Sequence, residues 1–522
     1  MEIVEKRFKL VQEKLSVNGI LIHPNQLLLR AAKLWPHKTA LMCEKDSITF
    51  GTLFNRAAQG AQLLRAKGVK KGDRVLILYE NGIDFYVAYH AAWMTGALIA
   101  PLNVFLHEKE LEHIVNDAQP IAILVSASLR PKVERFSDKM MILGIEDLVQ
   151  PMLAEEGIDL FLSFDVPSLS LDECAVLLYT SGTTGLPKGV MLSGRAIMTN
   201  CIQGIACFDL SEDERIFAAL PLFHSYMQNT SVWCALIVGA VVIVIPRINR
   251  KSLKEGLDQR PSIILAIPQL FGIFCLMRNL DFSSVKLIFS GGDALHSSTR
   301  LGFELLYGRR LGNGYGLTEA APLVAANLED FCAPAHCVGR PLLGIKVAIR
   351  DRNTHVELKS GEIGVLWVKG DNLMLGYYNA PEASASVLVD GWLNTGDLGF
   401  LTSEGFLVLA GREKDLIVNK GINIYPQEIE TILVKHPHVL LAAVVGTRIG
   451  EVEVPVAYVT LAGEQASQDV GIVEEELKSL CREYLAPYKV PHRIFVQGSL
   501  PMTATGKVDK KVLRATIKSE AL

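Results

Sequence analysis

The sequence predicts an α/β protein: a large N-terminal domain of helix-covered sheets plus a β subdomain, followed by a small α+β C-terminal domain. Three observations lead to this. Short apolar runs at Arg74 to Tyr79, Ala97 to Ala100, Ile121 to Val125, Val241 to Ile245, Ile263 to Ile267 and Val285 to Phe289 alternate with segments of helical periodicity, the pattern of mostly parallel sheets buried under helices. Past about residue 340 the texture changes to short alternating segments such as Gly364 to Val368 and Gly405 to Leu409, separated by Gly, Asn and Asp, which predicts antiparallel strands. From Pro426 onward, a helix to Lys435, strands at Leu440 to Val445 and Val454 to Thr460, a helix near Glu474 to Leu485 and a basic tail make a further unit.

Val4, Phe8, Val11 and Leu15 form one apolar stripe on a first helix that also carries Lys6, Arg7, Lys9 and Lys14. Such a helix can lie on a membrane surface, but Glu2, Glu5 and Glu13 nearly cancel its charge and favour packing on the domain. From Thr49, apolar residues recur at helical spacing through Leu64, and Gly68 stands where a C-terminal cap is expected. Lys71-Gly-Asp73 then turns the chain into Arg74 to Tyr79, a helical stretch runs through Trp93, and Ala97 to Ala100 closes a βαβ unit. The longest apolar run, Val232 to Ile245, is broken by Gly239 and falls short of the roughly 20 residues that span a bilayer. It reads as a helix end followed by a buried strand, and no transmembrane segment is expected.

Hydrophobic side chains make up 49% and charged ones 21% of the 522 residues, a composition that folds around sizeable cores in more than one domain. Lys and Arg number 52 against 56 Asp and Glu. With no domain-wide basic field to hold a phosphate backbone, nucleic acid is disfavoured as a partner. The nine cysteines are scattered, with no Cys-x-x-Cys pair, which fits reduced thiols in a cytoplasmic protein. Cys332, His336 and Cys337 lie close together but lack a second ligand pair, which argues against a metal site. The first residues have no basic start followed by an apolar core, so a signal peptide is not expected.

The most informative stretch is Tyr179-Thr-Ser-Gly-Thr-Thr-Gly-Leu-Pro-Lys-Gly-Val190, which follows the apolar run Ala175 to Leu178. Gly182 and Gly185 let the backbone turn tightly and point N–H groups inward, Thr180, Ser181, Thr183 and Thr184 add hydroxyls, and Lys188 adds positive charge. Such a loop cradles phosphates. It differs from the G-x-x-x-x-G-K-[ST] loop, because Lys188 is followed by Gly189 rather than by a hydroxyl residue.

Further motifs follow in order: Leu220-Pro-Leu-Phe-His224, Gly314-Tyr-Gly-Leu-Thr-Glu319, Gly361-Glu-Ile-Gly364, Trp392-Leu-Asn-Thr-Gly-Asp397, Gly411-Arg-Glu-Lys-Asp415 and Pro501-Met-Thr-Ala-Thr-Gly-Lys507. With the 179–190 loop, they resemble the adenylate-forming superfamily of acyl-CoA synthetases, luciferases and peptide-synthetase adenylation domains, over nearly the whole chain. The resemblance implies an acid–thiol ligase that joins a carboxylate to the α-phosphate of ATP and then hands the acyl group to a thiol. By this resemblance the loop binds the β and γ phosphates, Glu319 holds Mg2+ against them, and Thr318 bonds the α-phosphate. It also implies that Tyr315, between Gly314 and Gly316, packs on adenine, that backbone at Gly291 and Gly292 lines the base pocket, and that Asp397 accepts both ribose hydroxyls with Arg412 beside it. Lys507 would reach the α-phosphate and the attacking carboxylate, a flexible stem carrying a point charge to where negative charge builds.

The same resemblance divides the chain into a large AMP-binding domain at 1–411, a hinge at 412–414 pivoting on Lys414, and a mobile lid at 415–522. The lid must close to bring Lys507 in, then rotate for the thiol step. Gly421 would border the thiol tunnel. Some relatives carry a lysine where this chain has Val418.

His224 stands where acyl ligases border the carboxylate and the mouth of the acyl pocket, with Ser225 and Tyr226 beside it. Domains that activate amino acids place an aspartate just after this point to pair the ammonium. Ser225 to Trp233 holds no acid, which disfavours an amino-acid substrate. Gly314 to Val324 and Gly421-Ile-Asn-Ile-Tyr-Pro-Gln-Glu-Ile-Glu430 look most like bacterial long-chain fatty-acid ligases and acyl-acyl-carrier-protein synthetases. A medium- to long-chain fatty acid is therefore expected as substrate, with coenzyme A as acceptor or, alternatively, the phosphopantetheine of acyl carrier protein. Lys489, Arg493, Lys507, Lys510, Lys511 and Arg514 offer positive charge to either, and peripheral membrane contact stays open. A catalytically silent binding protein would have lost Lys188, Glu319, Asp397 or Lys507, and all four are present.

Overall fold

The computed structural model describes residues 2–149, 164–181, 186–328, 336–419, 422–450, 452–461, 470–503 and 507–517. Two large sheets organise them. The first runs in the order Gly376–Tyr377, Pro187–Ser193, Cys174–Ser181, Leu98–Pro101, Arg74–Leu78, Ala122–Val125, Met141–Leu143. In its parallel centre, Val75 and Ile77 enter one core cluster while Leu76 and Leu78 enter another. Both faces are buried, which is why Val75 to Tyr79 reads as an unbroken apolar run. The helices Phe50–Ala66 and Ile83–Trp93 pack on each other over one of those faces, and Thr49 caps the first by accepting from Thr52 N at 3.1 Å.

The second sheet begins with Asp46–Thr49 and Thr39–Cys43, passes through parallel strands Val241–Val244, Arg215–Ala218, Ile263–Ala266, Leu287–Ser290 and Gly312–Gly316, then turns antiparallel. The antiparallel part contains Leu323–Asn327, Cys337–Pro341, Leu407–Arg412, Trp392–Leu401, Gly364–Lys369 and Lys346–Arg350. Antiparallel pairing thus starts before residue 340, and the β subdomain continues the parallel sheet by hydrogen bonds. The junction is the turn between Gly312–Gly316 and Leu323–Asn327, where Leu317 N donates to Pro322 O at 2.9 Å. Glycine is required on the incoming strand: a Cβ would stand 2.4 Å from Phe289 at Gly314 and 2.3 Å from Pro322 O at Gly316.

The run from Val232 resolves into the helix Ala235–Val238, Gly239 with φ +78°, and the strand Val241–Val244. The helix Glu2–Lys14 packs on Gly194–Phe208, with Phe8 and Val11 partly buried and Arg7 paired to Asp209 at 2.6 Å. Among the described residues, no helix is long and apolar enough to cross a membrane.

After the strand Leu407–Arg412, none of the described residues joins either large sheet again. The chain forms a hairpin, Ile417–Asn419 with Ile422–Ile424, and a three-stranded sheet of Val439–Ile449, Val452–Leu461 and Arg493–Val496. Along Val439–Ile449 the pleat sends Val444 to a core with the helices Pro426–Leu433 and Val470–Tyr484, and Ala443 and Val445 to a core with Lys510–Ile517. This is the α+β unit expected from the sequence.

Candidate active site

Several of the proposed site residues lie at the C-terminal ends of parallel strands, where open α/β sheets leave room for ligands, while Lys188, Asp397 and Arg412 come from antiparallel pairs. Gly291 and Gly292 follow the strand Leu287–Ser290, and Leu220 to His224 follow Arg215–Ala218. Gly292 has φ +83°, a left-handed backbone that favours glycine, and a Cβ on Gly291 would lie 3.4 Å from the Tyr226 ring. The Tyr226 hydroxyl is buried and has no hydrogen-bond partner among the described residues. A buried polar group of this kind marks a place where a ligand can supply the missing bond.

His224 Nδ1 accepts from Tyr226 N at 3.3 Å, which leaves Nε2 as the protonated nitrogen of a neutral ring. Burial, and then the charge of Lys507, push its pKa down to about 4. Ser225 Oγ lies 3.2 Å from Thr318 Oγ1, joining the proposed acyl-pocket segment to the turn Thr318–Ala320.

The hairpin Cys174–Ser181 and Pro187–Ser193 sets Lys188 directly opposite Thr180 and Pro187 opposite Ser181. Gly182, Thr183, Thr184 and Gly185 lie outside the described residues, as does Gly421. The Lys188 ammonium stands 5.4 Å from the centroid of the Tyr377 ring. The Tyr377 hydroxyl donates to Glu319 Oε1 at 2.9 Å, so one tyrosine links the loop lysine to the proposed metal carboxylate. Burial raises the Glu319 carboxyl above its ordinary value, against the hydrogen bonds that lower it. A desolvated carboxylate held by a backbone hydrogen bond and, after it, by the Tyr377 phenol suits a cation. Among the described residues, no group of three His, Cys, Asp or Glu could hold a metal. A cation at Glu319 would therefore complete its shell with ligand oxygens and water, the donor set that Mg2+ takes.

Tyr315 donates its hydroxyl to Asp397 Oδ2 at 2.5 Å, and Arg412 Nε stands 3.2 Å from Asp397 Oδ1. The Tyr315 ring is only 7% exposed and packs with Ala320, Val324 and Leu366, so much of it serves the core.

Lys507 belongs to the C-terminal unit. Thr503 N donates to Lys507 O at 2.7 Å and Lys507 N donates to Thr503 Oγ1 at 3.2 Å, while Met502 bridges to Val508. The half-buried ammonium sits among groups of the large sheet. Burial lowers its pKa, Asp293 counteracts this, Arg412 lowers it again and Asp397 raises it. Asp293 is itself held by Gln269 Nε2 at 2.8 Å. Lys414 lies exposed in the turn Glu413–Asp415, whose Asp415 pairs with Arg514 of the last helix.

Two contributors were missed in the sequence. Asp293 is the residue after the glycine pair, and Tyr377 follows Gly376 in a short edge strand beside Val190. The signal for Asp293 was its adjacency to Gly292. Tyr377 had no signal, since its partners Lys188 and Glu319 are distant in the chain.

The pattern of AMP-binding enzymes matches residues 28–378, and that of the AMP-binding enzyme C-terminal domain matches 428–507. The long-chain-fatty-acid–CoA ligase of Bacillus subtilis (strain 168) is 31% identical over 530 residues, covering 93% of this chain and 93% of its own. Feruloyl-CoA synthase of Amycolatopsis sp is 31% identical over 494 residues, covering 93% and 97%. Among solved structures, the anthranilate CoA ligase AuaEII in complex with anthranoyl-AMP superposes with a TM-score of 0.87 at 25% identity, over 95% of this chain and 97% of that one.

Proposed function

The chain belongs to the AMP-binding enzymes, adenylate-forming acid–thiol ligases, and from that premise we propose that it converts a medium- to long-chain fatty acid to its acyl-coenzyme A thioester in the cytoplasm. The observation that carries the reading is that Lys507, from the C-terminal unit, lies within electrostatic reach of His224, Asp293, Asp397 and Arg412 of the large-sheet part.

In the first half-reaction a carboxylate oxygen attacks the α-phosphorus of ATP, the bond to the bridging oxygen breaks, and diphosphate leaves. Positioning and electrostatic stabilisation carry most of such a step. Lys507 supplies positive charge at the α-phosphate, Thr318 donates to it, and Lys188 with the 180–185 loop takes the β and γ phosphates. Asp397 accepts from the ribose, and Tyr315 with Gly291, Gly292, Gly314 and Gly316 flanks the base. Glu319 would hold Mg2+, which neutralises phosphate charge. His224, neutral with its proton on Nε2, is suited to donate to the acyl carboxylate, and Ser225 and Tyr226 border the chain. In the second half-reaction the thiol sulfur attacks the acyl carbon, the carbon–oxygen bond to AMP breaks, and AMP leaves with the electron pair.

Domain boundaries at 411 and 415 follow from the same reading. Among the described residues, Leu407–Arg412 is the last strand of a large sheet, whereas Asp415 is tied to Arg514. Lys414 between them is the proposed pivot, and Gly421 the proposed tunnel residue.

The Bacillus subtilis relative favours a fatty acid, while the feruloyl and anthranilate enzymes favour an aromatic acid. The deciding measurement is diphosphate release with Mg-ATP across straight-chain acids and aromatic acids, with coenzyme A or acyl carrier protein as acceptor. Turnover peaking at a medium or long chain with coenzyme A supports the reading. A peak with ferulate or benzoates would replace the substrate, and a requirement for the carrier protein would replace the acceptor.

A further inference from the structure

A hydrogen-bond circuit centred on His336 ties the C-terminal unit to the large sheet across the proposed hinge. His336 has φ +65°, and its carbonyl accepts from Leu409 N at 3.2 Å, which fixes it to the strand leading into Arg412. Its ring meets the helix Pro426–Leu433: Nε2 lies 2.8 Å from Thr431 Oγ1, and Nδ1 lies 3.0 Å from Gln427 Nε2. The Thr431 hydroxyl donates to Gln427 O at 2.7 Å. Its proton is thereby committed, so Thr431 accepts from the histidine Nε2–H, and Nδ1 is left to accept from the Gln427 amide. Every donor has one acceptor only if the ring is neutral.

The charged and titratable surroundings agree. The His296 ring lies edge-on at 6.3 Å, and Asp293 acts on His296 from its own segment. From the other side, Glu430 acts on His296 more strongly than Asp293 does, while its carboxylate is paired with Lys510 at 2.6 Å and accepts from Val444 N at 2.7 Å. Burial, then His296, push the His336 pKa down to about 4.

We infer that His336 is a positioning residue that latches the helix Pro426–Leu433 onto the strand Leu407–Arg412 in the arrangement that delivers Lys507, and so favours adenylate formation over the thiol half-reaction. This rests on the assignment of Lys507 to the first step. The histidine does not touch the reacting atoms. It acts through the position of the C-terminal unit, and its bonds must break when that unit rotates.

The test separates the two half-reactions in the full chain. Diphosphate–ATP exchange with dodecanoate reads the first, and thioester formation from synthetic dodecanoyl-AMP and coenzyme A reads the second. His336→Gly removes the ring while easing the left-handed backbone, so folding strain cannot explain its effect. Thr431→Val and Gln427→Leu break the circuit from the helix side. The expected result is a drop of about tenfold in exchange for His336→Gly, the worth of two ordinary hydrogen bonds, with thioester formation from the adenylate unchanged or faster. The helix-side variants should follow in the same direction, and His336→Asn should recover part of the loss. Equal rates in wild type and variants, or a parallel fall in both half-reactions, would overturn the latch. Lys507→Ala, measured beside them, distinguishes the levels. If it abolishes exchange while His336→Gly does not alter it, only the latch fails, whereas full exchange in Lys507→Ala removes the underlying reading as well.

Discussion

Asp397 and Arg412 are direct cross-strand partners in the antiparallel pair Trp392–Leu401 and Leu407–Arg412, and the arginine Nε stands 3.2 Å from the carboxylate. The other carboxylate oxygen takes the Tyr315 hydroxyl. Each oxygen is thus oriented by one protein donor and keeps a further lone pair, which the proposed function assigns to a ribose hydroxyl. Asp397→Asn preserves the shape but turns an amide N–H toward either Tyr315 or Arg412. We expect the KM for ATP to rise about tenfold or more, the cost of losing a hydrogen bond to a charged group, with a smaller change in kcat. Steady-state diphosphate release against ATP concentration measures this, and an unchanged KM would exclude Asp397 from nucleotide binding.

Lys507→Ala should separate the two halves of the reaction. Loss of a donor aimed at developing charge typically costs about 10²–10³ in rate, so diphosphate–ATP exchange should fall by that order. Thioester formation from preformed acyl-AMP should largely survive, because in the proposed mechanism the lid then presents another face. Full exchange with impaired thioester formation would move Lys507 to the second step.

Tyr377→Phe tests the link between Lys188 and Glu319. The substitution keeps the ring near the lysine but removes the hydroxyl that donates to Glu319 at 2.9 Å. That bond opposes the burial that already raises the carboxyl, so without it the proton is held more tightly. Mg2+ needs the ionised form, hence its apparent affinity should increase with pH and should be weaker in the variant, most of all on the acidic side. Mg2+ titrations of diphosphate release at pH 6 and pH 8 would show it. Superimposable curves for wild type and variant would deny Tyr377 this part.

The sequence made the local elements and the separate site motifs legible for different reasons. Val75 to Leu78 announced a doubly buried strand because both of its faces are apolar, and the helix after Thr49 announced itself through the spacing of its apolar residues. Lys188 stood out because a lysine in a loop rich in glycine and hydroxyls suits phosphate, whereas Glu319, Asp397 and Lys507 stood out through motifs that resemble those of adenylate-forming enzymes. What stayed hidden depends on distant contacts. The continuity of the parallel and antiparallel halves rests on the return at Ala321-Pro322, a local turn whose consequence is global. Tyr377 gains its role from residues in two other segments, and His336 from a helix in the next unit.

The proton linkage of His336 gives a last expectation, and its sign follows from the depressed pKa. In the closed arrangement the ring is neutral with a pKa of about 4, against an ordinary 6.5, the value it regains if rotation exposes it to water. Neutral rings therefore favour closure fully above pH 6.5, and that preference is lost as pH falls from there toward 4. Adenylate formation should decline across this window relative to thioester formation from acyl-AMP. His224 is also held near 4 by burial and Lys507, so part of the decline belongs to it. His336→Asn, which does not titrate, isolates the latch: its ratio of the two half-reactions should change less steeply with pH than that of the wild type. Coincident profiles would mean that His336 stays equally buried in both arrangements, and the ring would then travel with the strand Leu407–Arg412 without reporting the rotation.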